Sequence, residues 1–169
     1  MAERPPVEGW TPPTARERQR ILDRSRSVAV VGASASLARA SYFVLTYLLS
    51  SSTDFDVYPV NPRAAGDEIL GRRVYASLAD LPVTPDIVDV FRRSEDLPSV
   101  ADEAIAAGAP VFWAQLGLWN VEAARRCVAS GLDVVMDRCL KIEHARFHGG
   151  LHLAGFDTGV ISSRRSPHH

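Results

Sequence analysis

The sequence contains two cysteines and no long apolar run. Cys127 and Cys139 have neither metal-ligand spacing nor a CxxC pairing, and two cysteines do not form the disulfide framework of a small secreted protein. No segment approaches the ~20 apolar residues of a membrane span, and residues 1–26 lack the apolar core of a signal peptide. These absences predict a cytoplasmic protein without membrane contact.

The chain has no excess of positive charge, since 19 basic and 20 acidic residues give a formal net charge of -1. This balance disfavours non-specific binding of nucleic acid, so an anionic ligand must be held by a local arrangement of donors. Lysine is nearly absent, because only Lys141 among the 19 basic residues is lysine. Chance explains a lone lysine; so does a need for a compact ammonium, which a planar guanidinium does not reproduce.

Catalytic and metal-binding motifs are also missing, since the sequence contains no GxSxG, HExxH or GxxxxGK[ST] pattern. The spacing of His144, His148 and His152 would place three imidazoles on one helical face, but two glycines at 149–150 interrupt that helix and disfavour a metal site. Cys139 follows Arg138 and is the one plausible nucleophile near the loops at the ends of the strands, yet a partly buried, inert cysteine is the expected state. We therefore predict no catalytic centre.

Length and composition predict a single domain with two extensions. Residues 1–13 hold four of the 11 prolines and are expected to form a flexible or loosely docked arm. Residues 14–147 form the predicted domain, and the glycine-rich residues 148–169 are expected to form an extended tail.

Short valine-rich runs alternate with helical patterns along the predicted domain. Such runs suit strands that are covered on both faces, and they occur at 27–32, 56–60, 86–91, 110–115 and 132–136. The helical patterns lie at 14–25, 41–50, 94–107 and 120–130, with Thr14 as the first N-cap and Gly108 and Gly131 after the last two helices. The alternation predicts an α/β fold, a Rossmann-like doubly wound parallel sheet of about five strands.

Four finer expectations accompany this fold. By analogy with this fold, the expected strand order is 3-2-1-4-5. The alternation of strand and helix patterns ends after Asp137. Residues 68–81 are less clear, with one short helical turn at 77–80. Asp86 and Asp89 flank the third strand and are expected to cap and orient neighbouring loops rather than form an acid and base pair.

Ligands of an open parallel sheet bind beyond the carboxyl ends of its strands, which selects the loops at 32–41, 61–63, 92–94, 116–120 and 137–139. The first loop is the most informative. Gly32 permits close backbone approach, Arg39 offers a cation, and the helix start adds free N–H groups; hydroxyls come from Ser34, Ser36 and Ser41. These donors suit a phosphate or diphosphate, although a serine-capped loop with a solvated arginine explains the same residues.

A dinucleotide site is a weaker interpretation of this loop. The GxGxxG fingerprint is reduced to Gly32, followed by alanine and serine at 33–35. The acidic residue expected after the second strand is replaced by the Asn61, Pro62 and Arg63 sequence, which offers no carboxylate to a ribose. NAD is therefore disfavoured.

Several stretches in these regions carry a family resemblance. They lie in order at residues 28–34, 41–42 with 47–48, 57–62, 86–93, 113–117 and 136–144. Together they resemble the stand-alone coenzyme A-binding proteins with a Rossmann-like fold, which are similar to the CoA-binding domains of succinyl-CoA synthetase and ADP-forming acyl-CoA synthetases. One departure is Ala40, where the family often has a proline that presets the helix start.

The resemblance implies a coenzyme A site on the 32–41 loop, with 61–62 and 91–92 as neighbouring walls. The synthetases also carry a phosphohistidine and a nucleotide-grasp domain that this sequence lacks, so the resemblance implies binding and supplies no reaction. Arg39, Arg63 and Arg92 are candidates for the 3′-phosphate. Val60, Pro62 and Phe91 are candidates for an adenine slot.

We therefore predict a protein that binds CoA or acyl-CoA. The alternatives are an NAD- or nucleotide-dependent enzyme and a regulatory interaction module, with any protein partner left open. The predicted ligand-binding residues are Gly32, Ala33, Ser34, Arg39, Ser41, Tyr42, Val60, Asn61, Pro62, Arg63, Phe91, Arg92, Gln115, Gly117 and Lys141.

Overall fold

A computed structural model describes residues 3–148 and confirms the predicted alternation of strands and helices. The strands are β1 (Ser27–Val31), β2 (Asp56–Val60), β3 (Glu68–Ile69), β4 (Arg72–Arg73), β5 (Ile87–Val90), β6 (Val111–Ala114) and β7 (Asp133–Val135). The helices are α1 (Ala15–Arg24), α2 (Ala40–Leu48), α3 (Leu97–Ala107), α4 (Val121–Ala129) and α5 (Leu140–His148). Short 3-10 turns occupy Pro62–Ala64, Leu78–Asp80 and Ser94–Asp96.

Five parallel strands form the central sheet in the order β2-β1-β5-β6-β7. The expected order 3-2-1-4-5 is wrong, because the third long strand, β5, lies beside β1 and not at the outer edge of β2. Tyr75 takes that outer place through a parallel bridge to Val60. Its N–H donates to the Pro59 carbonyl at 2.9 Å, and its own carbonyl accepts from the Asn61 N–H at 2.9 Å. The unclear segment between β2 and β5 therefore covers the sheet edge.

Helices cover both faces of the sheet with separate apolar clusters. On one face, α3 and α4 pack on alternate residues of the strands, including Val88, Val90 and Phe112. On the other face, α1, α2 and α5 pack on the residues between, including Val28, Val30 and Trp113. Because helices cover both faces of the sheet, its strands carry buried apolar residues on both sides.

The expectation that the alternation ends after Asp137 is also wrong, because α5 follows β7. Apolar and polar residues are not segregated on α5, so its sequence carries little helical signal. Tertiary contacts fix it instead. The Gln115 side-chain oxygen accepts from the Leu140 N–H at 3.0 Å, and Glu143 forms a buried ion pair with Arg18 of α1 at 2.5 Å.

Residues 3–13, within the expected arm, contact the sheet and the loop after β6. Val7 is buried. The Trp10 indole donates to the Val134 carbonyl at 3.1 Å, and the Trp119 indole donates to the Pro5 carbonyl at 3.0 Å. The two tryptophan rings meet edge to face, with centroids 5.5 Å apart. Most of the expected tail, residues 149–169, lies outside the described residues.

The two aspartates of the third predicted strand have different roles. Asp86 accepts hydrogen bonds from the backbone N–H groups of Arg26 and Ser27 at 2.7 and 3.1 Å, which confirms its capping role. The same expectation for Asp89 is wrong. Asp89 lies inside β5 between Val30 and Trp113, is fully buried, and has no hydrogen-bond partner for either carboxylate oxygen. Burial raises the pKa of Asp89 well above its usual range.

We predict that Asp89→Val stabilises the protein by about 1–3 kcal/mol at pH 7, because it removes a buried polar group without a partner. Below the unfolded pKa near 3.8, the Asp89 carboxyl is protonated in both states and the wild type has its full stability. As pH rises from there through the folded pKa, only the unfolded chain ionises freely, so the free energy of unfolding of the wild type falls. The advantage of the variant should therefore grow from pH 4 towards neutrality. Denaturant unfolding at several pH values measures it; a variant less stable at every pH would show that Asp89 has a stabilising partner.

Candidate functional site

A cavity of about 910 Å³ lies at the carboxyl edge of the central sheet. This volume is near the upper end of the range of about 300–1,000 Å³ found for small-molecule sites. Its walls come from the loops that follow all five strands of the sheet and from the first turns of α2 and α5. The cavity therefore lies where an open parallel sheet binds its ligands.

Backbone hydrogen bonds fix the loop after β1 against the end of β2. The Val60 carbonyl accepts from the N–H groups of Gly32 and Ala33 at 2.9 and 3.3 Å. The Asn61 side chain adds a second tie, because its Nδ2 donates to the Ala33 carbonyl at 2.8 Å and its Oδ1 accepts from the Arg63 N–H at 2.9 Å. Because both polar side-chain atoms of Asn61 are hydrogen-bonded to the protein backbone, Asn61 positions the cavity wall.

Gly32 brings this loop close to the end of β5. Its φ of +90° lies in the region that glycine favours. A Cβ atom at this position would lie 2.9 Å from the Phe91 carbonyl oxygen and 3.2 Å from the Arg92 Cδ. The fold itself therefore requires glycine here, in addition to any need for close approach by a phosphate.

The first turn of α2 faces the cavity without a side-chain cap. Its N-cap residue, Arg39, makes no capping hydrogen bond, whereas Thr14 caps α1 and Asn120 caps α4. The Ser41 Oγ is buried without a hydrogen-bond partner, and Ser41 lines the cavity. Free N–H groups and the positive end of a helix attract anions, and Ser41 adds a hydroxyl that a ligand can use.

Cations dominate the cavity wall. Its charged residues are Arg39, Arg63, Arg92, Arg93, Lys141 and Asp96. Asp96 is already paired, at 3.7 Å with Arg92 and 3.2 Å with Arg93. Within residues 3–148, Arg39, Arg63 and Lys141 have no ion pair. A concave surface with unpaired cations focuses positive potential, although the whole chain carries a net charge of -1.

The structure brings most of the predicted binding residues together. Those that line the cavity are Gly32, Ser34, Arg39, Ser41, Asn61, Pro62, Arg63, Phe91, Arg92, Gln115 and Lys141. Gln115 is nearly buried, and its side-chain oxygen holds the start of α5. Lys141 lines the cavity and forms no ion pair with Glu143, which pairs with Arg18 instead.

Four predicted residues lie outside the cavity wall. The side chains of Ala33 and Val60 are buried in the two apolar clusters, so Val60 does not line an adenine slot. Tyr42 packs against the cluster beneath α2. Gly117 follows Leu116 in the loop after β6, and its N–H donates to the Asp137 carboxylate at 2.6 Å.

The list of predicted binding residues omits several residues of the wall. Ala40, Arg93, Leu116, Leu118 and Cys139 lie in the loops that the sequence selects, whereas Phe43, Val44, Asp96 and Ile142 lie outside those loops. Phe43 lies one helical turn after Arg39, so helical spacing could have found it. Ile142 lies on α5, a helix with no clear signal in the sequence.

A hydrogen bond links the two helices at the cavity. The Tyr47 hydroxyl of α2 and the His144 Nδ1 of α5 are 2.8 Å apart. Burial raises the pKa of Tyr47 to about 12, so its hydroxyl stays protonated at neutral pH. The pair fixes α2 and α5 relative to each other.

Residues 3–148 contain no group of three or more His, Cys, Asp or Glu side chains that could hold a metal ion. His152, the last of the three histidines disfavoured as a metal site, lies outside this range. No helix within the same residues is long and apolar enough to cross a membrane.

Fold and cavity together define a Rossmann-like α/β protein with an anion-attracting cavity at the carboxyl edge of its sheet. Residues 26–145 match the family described as CoA binding domain, and the chain belongs to that family. It is 44% identical over 133 residues to the uncharacterized protein YneT of Bacillus subtilis, covering 79% of this chain and 96% of YneT.

Two other relatives are a protein of similar size whose structure is solved and a larger ligase subunit. The structure of a hypothetical protein from Pyrococcus horikoshii is similar, with a TM-score of 0.74 and 37% identity, covering 86% of this chain and 98% of that one. The alpha subunit of ADP-forming acetate–CoA ligase I from Pyrococcus furiosus is 32% identical over 92 residues, covering 53% of this chain and 20% of the subunit.

We predict that Gly32→Ala destabilises the protein more than Gly131→Ala does. Gly131 has a similar φ of +85° but open space around its Cβ position, so the control should cost about 1–2 kcal/mol through backbone strain alone. Gly32→Ala adds the clash with the Phe91 backbone. Thermal or denaturant unfolding of both variants measures the difference; equal losses would show that the contact with Phe91 relaxes without cost.

Proposed function

We propose that this protein binds coenzyme A, free or as a thioester, in the cavity at the carboxyl edge of the sheet. One observation carries the proposal: the uncapped start of α2, with the buried and unpartnered Ser41 hydroxyl, lies in a wall whose unpaired charges are cationic. Such a group of donors suits a diphosphate. Membership of the CoA binding domain family supports the same ligand.

The length of the cavity suits an extended ligand. Its walls follow five neighbouring strands, and four spacings between parallel strands amount to about 19 Å. In the proposed arrangement the diphosphate lies at the start of α2 near Ser41. Arg39 and Arg63 bind the 3′-phosphate, and Pro62 packs against adenine. The pantetheine arm then extends past Phe91 towards the ends of β6 and β7.

The cavity is less suited to NAD. Dinucleotide sites use a carboxylate after the second strand to bind a ribose, and Asn61 occupies that position with both polar atoms already bonded to the protein. Asp96, the acid of the described cavity wall, is paired with two arginines. The residues present thus favour a ligand with more phosphate and less need for a carboxylate partner.

The proposed activity is binding without a catalytic centre in this chain. Cys139 lines the cavity but packs partly against the apolar cluster beneath α2 and α5, and no base is placed beside it in the described hydrogen bonds. Acetate–CoA ligase is the activity of a much larger relative, of which this chain matches 20%.

Isothermal titration calorimetry with CoA and NAD⁺ tests the proposal. We expect CoA to bind, with an affinity that falls as salt is added, and NAD⁺ to bind weakly or not at all. Arg39→Ala and Arg63→Ala should each weaken CoA binding roughly tenfold through loss of a charged contact. Arg16→Ala is the matched control, since Arg16 is exposed on α1 away from the cavity. Tight NAD⁺ binding without CoA binding would reject the proposal.

Ser41→Ala separates ligand binding from folding. Without ligand, the variant should be at least as stable as the wild type, because it removes a buried hydroxyl that has no partner. With CoA, the loss of a hydrogen bond to a charged phosphate should weaken binding about tenfold or more. Thermal unfolding with and without CoA measures both effects. An unchanged shift in melting temperature on adding CoA would place the diphosphate elsewhere.

A further inference from the structure

Exposed apolar side chains are concentrated at the cavity. Six large hydrophobic residues of the described chain are well exposed: Leu37, Phe43, Leu70, Val83, Leu116 and Ile142. Phe43, Leu116 and Ile142 all line the same cavity, with exposed fractions of 55%, 64% and 45%. We refer to these three residues as the apolar rim. Contiguous exposed apolar surface marks a binding site more often than a solvated surface.

Two of the three rim residues, Leu116 and Ile142, lie away from the unpaired arginines along the sheet, whereas Phe43 lies on α2 one helical turn after Arg39. Arg63 follows β2, which is one edge strand, and Arg39 precedes α2 after β1. Leu116 follows β6, and Ile142 lies in the first turn of the helix after β7, the other edge strand. Lys141 beside Ile142 adds a four-carbon stem that can cover apolar surface. The cavity thus has an arginine-rich end and an apolar end.

We propose that the apolar rim binds the acyl chain of a CoA thioester, and that the preferred ligand is a CoA ester of a hydrophobic acid. This inference rests on the proposed function. The thiol of CoA is at the far end of the molecule from its phosphates, so phosphates held at the arginine-rich end direct the thiol towards Leu116 and Ile142. Free CoA ends there and leaves the rim in water, whereas an apolar acyl chain covers it.

Contacts behind the rim hold its residues in place before a ligand binds. The loop that carries Leu116 is fixed by the hydrogen bond from Gly117 to Asp137, and Asp137 is paired with Arg4 at 3.2 Å. Ile142 lies on α5, which the Arg18 and Glu143 ion pair anchors to α1. A wall that is already ordered loses little conformational entropy on binding, which favours selection of the acyl chain by its apolar surface.

Calorimetric titrations with CoA, acetyl-CoA and octanoyl-CoA test this inference. Each buried methylene raises affinity about fourfold, so octanoyl-CoA should bind at least tenfold more tightly than CoA, and acetyl-CoA should resemble CoA. Leu116→Ser and Ile142→Ser should reduce the preference for octanoyl-CoA over CoA to about threefold or less. Val83→Ser is the matched control, because Val83 is similarly exposed but lies outside the cavity.

The possible outcomes separate the two proposals. If wild-type protein binds CoA and octanoyl-CoA equally, the acyl-chain inference is overturned while the proposed function stands. If the serine variants weaken both ligands equally, the rim contacts the pantetheine arm, and the inference is again overturned. If none of the three compounds binds, the proposed function itself fails. Melting temperatures of the variants without ligand verify that these exposed substitutions leave the fold intact.

Discussion

The close packing of three backbone segments beyond the end of β1 determines the geometry of the cavity. Gly32 and Ala33 donate to the Val60 carbonyl on one side, and Gly32 lies against the Phe91 carbonyl on the other. A side chain at Gly32 would separate β1 from β5 at this point. These contacts fix the first residues of the loop that leads to α2, and the hydrogen bond between Tyr47 and His144 holds α2 against α5.

The position of α2 gives a slightly acidic protein a cationic cavity. The helix start contributes N–H groups and partial positive charge, and Arg39 and Arg63 remain unpaired within the described chain. Some arginines outside the cavity are neutralised locally, as in the Arg126 pairs with Glu122 and Asp102. Net charge therefore says little about the ligand, since the electrostatic contribution depends on which cations face one concave surface.

The CoA binding domain occurs in proteins of different size. It accounts for nearly all of YneT and for a fifth of an acetate–CoA ligase subunit. In this chain, residues 3–13 and α5 surround the domain's cavity loops: Trp10 packs on Trp119 after β6, and α5 carries Lys141 and Ile142. These contacts make the apolar end of the cavity part of a fixed structure.

Local patterns in the sequence determined the five strands of the central sheet, the first four helices and the 32–41 loop, because valine runs, caps and glycines act over a few residues. They also identified most of the cavity wall, since loops at the carboxyl ends of parallel strands converge. Only the tertiary structure decided the place of β5 beside β1 and the formation of α5, which contacts Gln115 and Arg18. It also decided that Asp89 is buried and that Phe43, Leu116 and Ile142 share one rim. Each of these features depends on residues far apart in the chain, and no short segment encodes which distant surfaces meet.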